Sequence, residues 1–500
     1  MQDESIITIR HASLLTMQRA AYVAGSFAFA VIIPRLFGPA LYGRFALIAS
    51  VSAWFAMLGT MGLGTVVGRF VPLFVRANDS AGLRAFFAKL LAARFSGSLA
   101  GAACFIALSL VFFPDLGRPT LMLAAAVLWL GAVSELVYSF FWGLNRAAWW
   151  GMGELIRRGA QIVFLVPGFL WRGLPGAFLG LLGVELLVLG SGLWRVRSFL
   201  PGLKPWPDFR YLAPYIRFGL LFSLNDILFT VFLRSGEVLV RTYTSDYAQV
   251  GQFALAYAMY MTLAPAVGQL VLAFLPTWTS LQAQQRSGEL RRWMERMMAW
   301  LAAGGMIAVF GLLLLGDRLI PLILGASFRP VTAHLLPLLL ILPLLPVTGA
   351  AFTIALMQNR PGIALQTTAG LLISYLVLAR YAILRWGSVG ACWALLGSMI
   401  IYAAHFAWRV RPAIPVPLGR WAGTAAAAGP FMLLIGFLPA VRGAVAFLAC
   451  AAGYCGVLFL ARLIAPADAS VIWRALRRPH ATPELPLSRP EPPPYSKEGA

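Results

Sequence analysis

The sequence predicts an all-α polytopic membrane protein of about 14 transmembrane helices. Two six-helix lobes, related by a pseudo-two-fold axis along the membrane normal, are followed by two extra C-terminal helices. Three observations predict this. Of the 500 residues, 60% are hydrophobic and 12% charged, whereas a soluble chain is about 45–50% apolar and about 25% charged. Apolar runs long enough to span a bilayer follow one another along the chain. The basic residues between those runs alternate in density from loop to loop.

A spanning helix needs about 20 mostly apolar residues. Such runs fall near 13–33, 43–65, 88–113, 120–143, 150–171, 175–194, 213–233, 248–274, 294–315, 332–356, 361–380, 388–408, 417–438 and 443–463. With the N-terminus in the cytoplasm, 29 of the 40 Lys and Arg residues fall on the cytoplasmic side and 11 on the other. That bias follows the positive-inside rule and puts both termini in the cytoplasm. The first run has no small-residue cleavage site and reads as an anchor rather than a cleaved signal.

Arg195 to Tyr211, with Pro201, Pro205 and Pro207, divides the chain. Tyr42-Gly43-Arg44-Phe45-Ala46-Leu47 opens the second helix and Val250-Gly251-Gln252-Phe253-Ala254-Leu255 the eighth. Both read x-Gly-x-Phe-Ala-Leu, six helices apart. An even separation makes the repeat parallel. The expected units are an N-terminal lobe at 1–205, a C-terminal lobe at 206–411, the extra helices at 412–465 and a tail at 466–500. The Pro-rich stretch Pro479 to Ala500 should be disordered.

Charged and polar residues inside spans are the functional candidates. On the seventh helix Gly219, Ser223, Asp226, Thr230, Arg234 and Glu237 recur every three or four residues and share one stripe. Such a stripe should face a wet interior. Asp226 is then a cation or proton site and Arg234 a site for a phosphate-like anion. Equally, an Asp226–Arg pair could join two helices, and Arg234 and Glu237 could lie at the outer surface. Arg19 faces the cavity or snorkels to the cytoplasmic surface. Glu135 on the fourth helix, Glu185 in the sixth and His405 on the twelfth complete the set. Arg69, Arg157, Arg158 and Arg217 near cytoplasmic ends are explained by topology.

The net charge of +22 does not mark a nucleic-acid binder, because the cations are scattered between apolar runs. Nearly all are Arg, with Lys only at 89, 204 and 497, a bias typical of GC-rich bacterial genomes. Cys104, Cys392, Cys450 and Cys455 lie inside apolar runs without metal-ligand spacing and read as small hydrophobes. No phosphate-binding Gly-rich loop, HExxH or GxSxG is present, so neither an enzyme nor a cofactor is expected.

Three segments carry a resemblance. Arg35-Leu36-Phe37-Gly38-Pro39-Ala40-Leu41-Tyr42-Gly43-Arg44-Phe45-Ala46-Leu47 resembles the link between the first two helices of bacterial polysaccharide flippases. Gly62-Leu63-Gly64-Thr65 with Arg69-Phe70 resembles the end of their second helix. Ser245-Asp246-Tyr247-Ala248-Gln249-Val250-Gly251-Gln252-Phe253 resembles the second-half counterpart. These are O-antigen and exopolysaccharide repeat-unit flippases of the multidrug/oligosaccharidyl-lipid/polysaccharide exporter superfamily. The resemblance implies alternating access in the bacterial inner membrane. The pyrophosphate and sugars of an undecaprenyl-linked glycan would cross through a cationic central cavity while the polyprenyl tail stays in lipid. By analogy with related lipid II flippases, the two extra helices would help form a groove for that tail. A glycan polymerase and glycosyltransferases are the implied protein partners.

Three rivals remain. A drug/cation antiporter of the same superfamily usually places a carboxylate in the first helix; residues 13–33 contain none, though Asp226 keeps that reading open. A membrane polymerase or ligase of lipid-linked glycans tends to need a large outer loop, which is missing. A non-transporting partner in glycan assembly would leave the charges inside spans without a purpose.

Overall fold

The computed structural model describes residues 2–60, 62–197, 208–358, 361–411, 414, 416–437 and 442–464, with side chains left undescribed over 1–24 and at a few later helical positions. Among these residues there are helices and turns and no strand. The Pro-rich divider between 198 and 207, the tail and the expected unit boundaries at 205/206, 411/412 and 465/466 fall on or beside residues outside this set.

The elements run α1 Gln2–Thr60, α2 Leu63–Arg76, α3 Ser80–Phe112, α4 Arg118–Gly143, α5 Ala147–Val196, α6 Phe209–Thr244 and α7 Tyr247–Ala273. They continue as α8 Leu275–Ala283, α9 Ser287–Leu324, α10 Val331–Leu339, α11 Leu345–Met357, α12 Pro361–Val410, α13 Gly419–Phe437 and α14 Ala444–Leu460. Eight described segments are long and apolar enough to cross a membrane, or nine if a bent pair in α6 is one span. Large apolar side chains such as Leu170, Trp171, Leu433 and Phe437 stand exposed on the outside of the bundle. That surface suits lipid, where the backbone must satisfy itself through helices.

The longest helices are pairs. α5 and α12 each contain 50 residues, more than twice what one crossing needs. Each reverses at its 27th residue. Gly173 has φ 63° and ψ −140°, and Gly387 has φ 58° and ψ −144°. L-residues with a Cβ avoid this conformation. Both reversals open Gly-x-x-Gly-Ala, as Gly173-Leu174-Pro175-Gly176-Ala177 and Gly387-Ser388-Val389-Gly390-Ala391. The second glycine of each motif lets the two limbs touch through their backbones. A Cβ on Gly176 would sit 1.9 Å from the Gly168 carbonyl, and one on Gly390 2.1 Å from that of Ala382.

The element order repeats as well. A helix runs into a short helix (α1 into α2, α7 into α8), and a long helix follows (α3, α9). A 3-10 turn then leads to another span (α4; α10 with α11) and a 50-residue broken pair (α5, α12). The internal repeat is therefore parallel and extends well beyond the six-residue match.

The two copies meet at one end. There a single apolar core draws on both halves, from Ile33, Phe45 and Phe178 to Phe253, Leu338 and Leu395. At the opposite end there are two separate cores, and the start of α6 joins the one built on the first half. One contains Leu63, Phe86 and Val137, the other Trp278, Met298 and Phe406. α9, α13 and α14 enclose a fourth cluster around Phe310 and Tyr454. The shared core marks the sealed end, which is the outer end in the orientation the charges predict. Gly43 and Gly251, the two repeat glycines, cross backbone to backbone there. A Cβ on Gly43 would lie 1.9 Å from the Tyr247 carbonyl oxygen, and one on Gly251 2.0 Å from that of Pro39.

Gly43→Val or Gly251→Val is expected to lower the melting midpoint of the detergent-solubilised protein sharply. Gly304→Ala, with nothing within 4 Å, should leave it unchanged or raise stability by about 0.5–1 kcal/mol. Unaltered melting of the two valine variants would refute the close crossing.

Candidate transport cavity

α1 ends at Thr60, and the chain restarts as α2 after Gly62, whose φ of 69° is left-handed. Opposite this break, α6 bends by 60° between its Phe209–Leu220 and Ser223–Thr244 parts. Gly219 packs against the Gly62 backbone at the crossing. The two interruptions, with α3 and α4, enclose a cavity of about 160 Å3. Its polar lining is Thr60, Thr65, Arg94, Glu135, Ser139, Ser223 and Asp226.

Arg94, on α3, is 4% exposed at its side chain. It donates from Nε to the Ala132 carbonyl at 2.8 Å and from Nη2 to Glu135 Oε2 at 2.7 Å. An unpaired guanidinium buried there would be expensive, and Glu135 removes that cost. Glu135 remains 64% exposed. Asp226 is exposed and makes no hydrogen bond or ion pair among the described residues.

The cavity thus takes Ser223, Asp226 and Glu135 from the expected set. Thr230 and Arg234 lie farther along α6, half-buried and exposed respectively, and are not in the lining. The side chain of Arg19 lies outside the described residues. His405 stacks on Trp408, with ring centres 6.1 Å apart, away from the cavity. Glu185 is not in the lining either. Arg157 grips it with Nε to Oε1 at 2.8 Å and Nη2 to Oε2 at 3.1 Å, and Ser134 donates to Oε2 at 2.9 Å. Glu154 accepts from Arg157 at 3.0 Å and from Arg158 at 3.0 Å. This network ties α4 to both limbs of α5, so Arg157 is a strut and not merely a topology charge.

One further expectation needs correction. α6 continues to Thr244 rather than stopping near 233, so Arg234 and Glu237 lie within the helix. Glu237 is 3% exposed, not at the outer surface, and its Oε2 has no partner among the described residues. Packing of α6 against α1, α7 and α12 buries a charge at which a hydropathy reading stops. The described charges of this lining are one guanidinium and two carboxylates. Sequence reading missed Arg94. Its position well inside an apolar run was the available signal, but it had been counted among the topology cations.

α6 is pinned at both ends to the first half. At its start Asp208 caps the helix, accepting from the Tyr211 N–H at 3.0 Å, and pairs with Lys89 at 3.0 Å. The Lys89 ammonium also sits 3.6 Å from the centre of the Tyr211 ring. The Tyr211 N–H, and then Lys89, hold the Asp208 carboxyl below the usual Asp range. The pair is therefore intact above about pH 4 and is lost only as pH falls through that lowered value. At the sealed end Arg241 pairs with Asp115 at 3.1 Å, and Arg241 and Arg44 both lie over the Tyr247 ring.

No family model matches the chain. No curated protein matches it either. Solved structures do. The lipid II flippase MurJ, in an inward-closed conformation, superposes with a TM-score of 0.65 at 14% identity, covering 94% of this chain and 100% of that one. A MATE-family multidrug resistance transporter of the MOP superfamily, inward-facing, gives 0.61 at 15% identity and covers 79% and 95%. An outward-facing MATE transporter gives 0.52 at 14% identity, covering 80% and 95%. The fold is that of these transporters.

Arg157→Met should destabilise the protein by roughly 3–5 kcal/mol, because Glu185 is left buried and uncompensated. Arg157→Met combined with Glu185→Met should recover most of that loss. Thermal unfolding of the purified variants checks this; a double variant no better than the single one would mean the pair is not the cause.

Proposed function

We propose that this protein is a flippase that carries undecaprenyl-pyrophosphate-linked oligosaccharide repeat units across the bacterial inner membrane by alternating access. The observation that carries the reading is the extent of the structural likeness. The flippase fold accounts for 94% of the chain, the drug-transporter fold for 79%. A polar cavity inside a lipid-facing bundle is what a hydrophilic head group needs.

In this reading the glycan enters from the end where the two cores are separate and rests at the bend of α6. Release requires the Gly43–Gly251 crossing and the Asp115–Arg241 pair to part. Arg234, two turns beyond Asp226, meets the pyrophosphate as it passes, since a guanidinium fork matches phosphate oxygens and keeps its charge. Arg19 is a second candidate for that contact. The polyprenyl tail stays in lipid beside α13 and α14. The protein acts next to the glycosyltransferases that build the unit and the polymerase that uses it, with both termini in the cytoplasm. No covalent step is assigned to it. Asp226 favours a second reading, a cation-coupled drug antiporter, because an unpaired carboxylate in a cavity can hold a cation.

Deleting the gene from its host should abolish surface glycan and accumulate complete lipid-linked units on the inner leaflet. Complementation with Asp226→Ala or Arg234→Ala should fail although both variants reach the membrane. Normal surface glycan with heightened sensitivity to cationic drugs would replace the flippase reading by the antiporter.

A further inference from the structure

The hydrogen-bonding capacity of the cavity lining selects among head groups. Arg94 is the only cation in the described lining, and two of its nitrogens are already engaged. Its side chain is recessed, its Nε is bound to the Ala132 carbonyl and its Nη2 to Glu135. Two of the four lining hydroxyls are committed as well. Thr60 donates to the Met57 carbonyl at 2.7 Å, and Ser223 donates, at 3.4 Å, to that of Leu220. What these groups offer inward is oxygen lone pairs. Glu135 has one oxygen engaged by Arg94 and a side chain that is 64% exposed. Asp226 has both oxygens free among the described residues. The described lining therefore carries one more carboxylate than guanidinium, and its carboxylates are acceptors only.

A ligand must supply what the lining lacks. Sugar hydroxyls donate well to carboxylates, and an ammonium group donates and also balances the extra charge. A uronate would set acceptor against acceptor and like charge against like, inside a bundle where screening is weak.

We infer that the cavity recognises a donor-rich sugar ring, neutral or bearing an amine, through Asp226 and the free oxygen of Glu135, and discriminates against acidic sugars. The inference rests on the flippase reading and adds the chemical class of the glycan.

Three soluble probes test it against the full-length protein in lipid nanodiscs at low salt: a glucosamine trisaccharide, a neutral glucose trisaccharide and a galacturonate trisaccharide. Binding read by intrinsic tryptophan fluorescence should be at least about tenfold tighter for the glucosamine probe than for the galacturonate one, with the neutral probe between. Asp226→Asn should shrink that gap to about threefold or less, because the carboxylate that separates the charged probes is gone. Because Asp226 is exposed and unpaired, this variant should melt like the parent. Galacturonate binding as tightly as glucosamine, or an unchanged order in Asp226→Asn, would overturn the inference and leave the flippase reading standing. No saccharide binding, together with Asp226-dependent binding of tetraphenylphosphonium, would overturn both.

Discussion

The Gly43–Gly251 crossing is the contact on which the rest of the architecture depends. Helices in lipid gain little from the hydrophobic effect and associate through close packing of small residues. Here the two halves approach until backbone meets backbone, at equivalent positions of an internal repeat. Around that point the halves share one core. At the other end only α6 brings second-half residues, Leu212 among them, into the first half's core. A bundle joined broadly at one end and through α6 at the other can change the angle between its halves chiefly by flexing that helix.

α6 is where that freedom meets the chemistry. Its first half belongs to the core of the opening lobe, through Leu212, Tyr215 and Phe218. Its second half belongs to the shared core, through Phe232 and Val240. The bend between them faces the α1–α2 break, so helix interruptions open the cavity where irregular backbone can be tolerated, inside the protein and away from lipid. Ion pairs to Lys89 and Asp115 fix both ends of the helix. Any change in the angle between the halves must therefore act on the bend, and so on Ser223 and Asp226.

Much of the fold was legible in the sequence because lipid imposes a length and a polarity on every span. Each of the fourteen expected helices overlaps a helical stretch of the structure, and the Gly43/Gly251 match marked the repeat, whose copies the structure brings into contact at those glycines. The second repeat, Gly-x-x-Gly-Ala at Gly173 and Gly387, was as readable but lies at reversals, where hydropathy carries no signal. The site was only half legible. Periodicity put Ser223 and Asp226 on one face of α6. It could not tell that Glu185 finds Arg157, because that pairing depends on how the two limbs of α5 fold together and on Ser134 of α4. Nor could it tell Arg94 from a topology charge, since depth in the membrane and proximity to Glu135 are properties of packing.

Among the described residues the sealed face has almost no loose chain. Its described connections are the reversals at Gly38, Gly173 and Gly387, the short links around Gly117, Ser245 and Gly325, and the entry to α14 at Gly443. Several of them are knitted together. Phe37 stacks on Phe169 at 4.1 Å, and Gln249 accepts from the Ser388 N–H at 3.0 Å. A protease needs an extended strand to thread, and an antibody or phage tail needs a protruding epitope. If this face looks outward, it offers neither, so the fold that packs the gate also presents little for an attacker to hold.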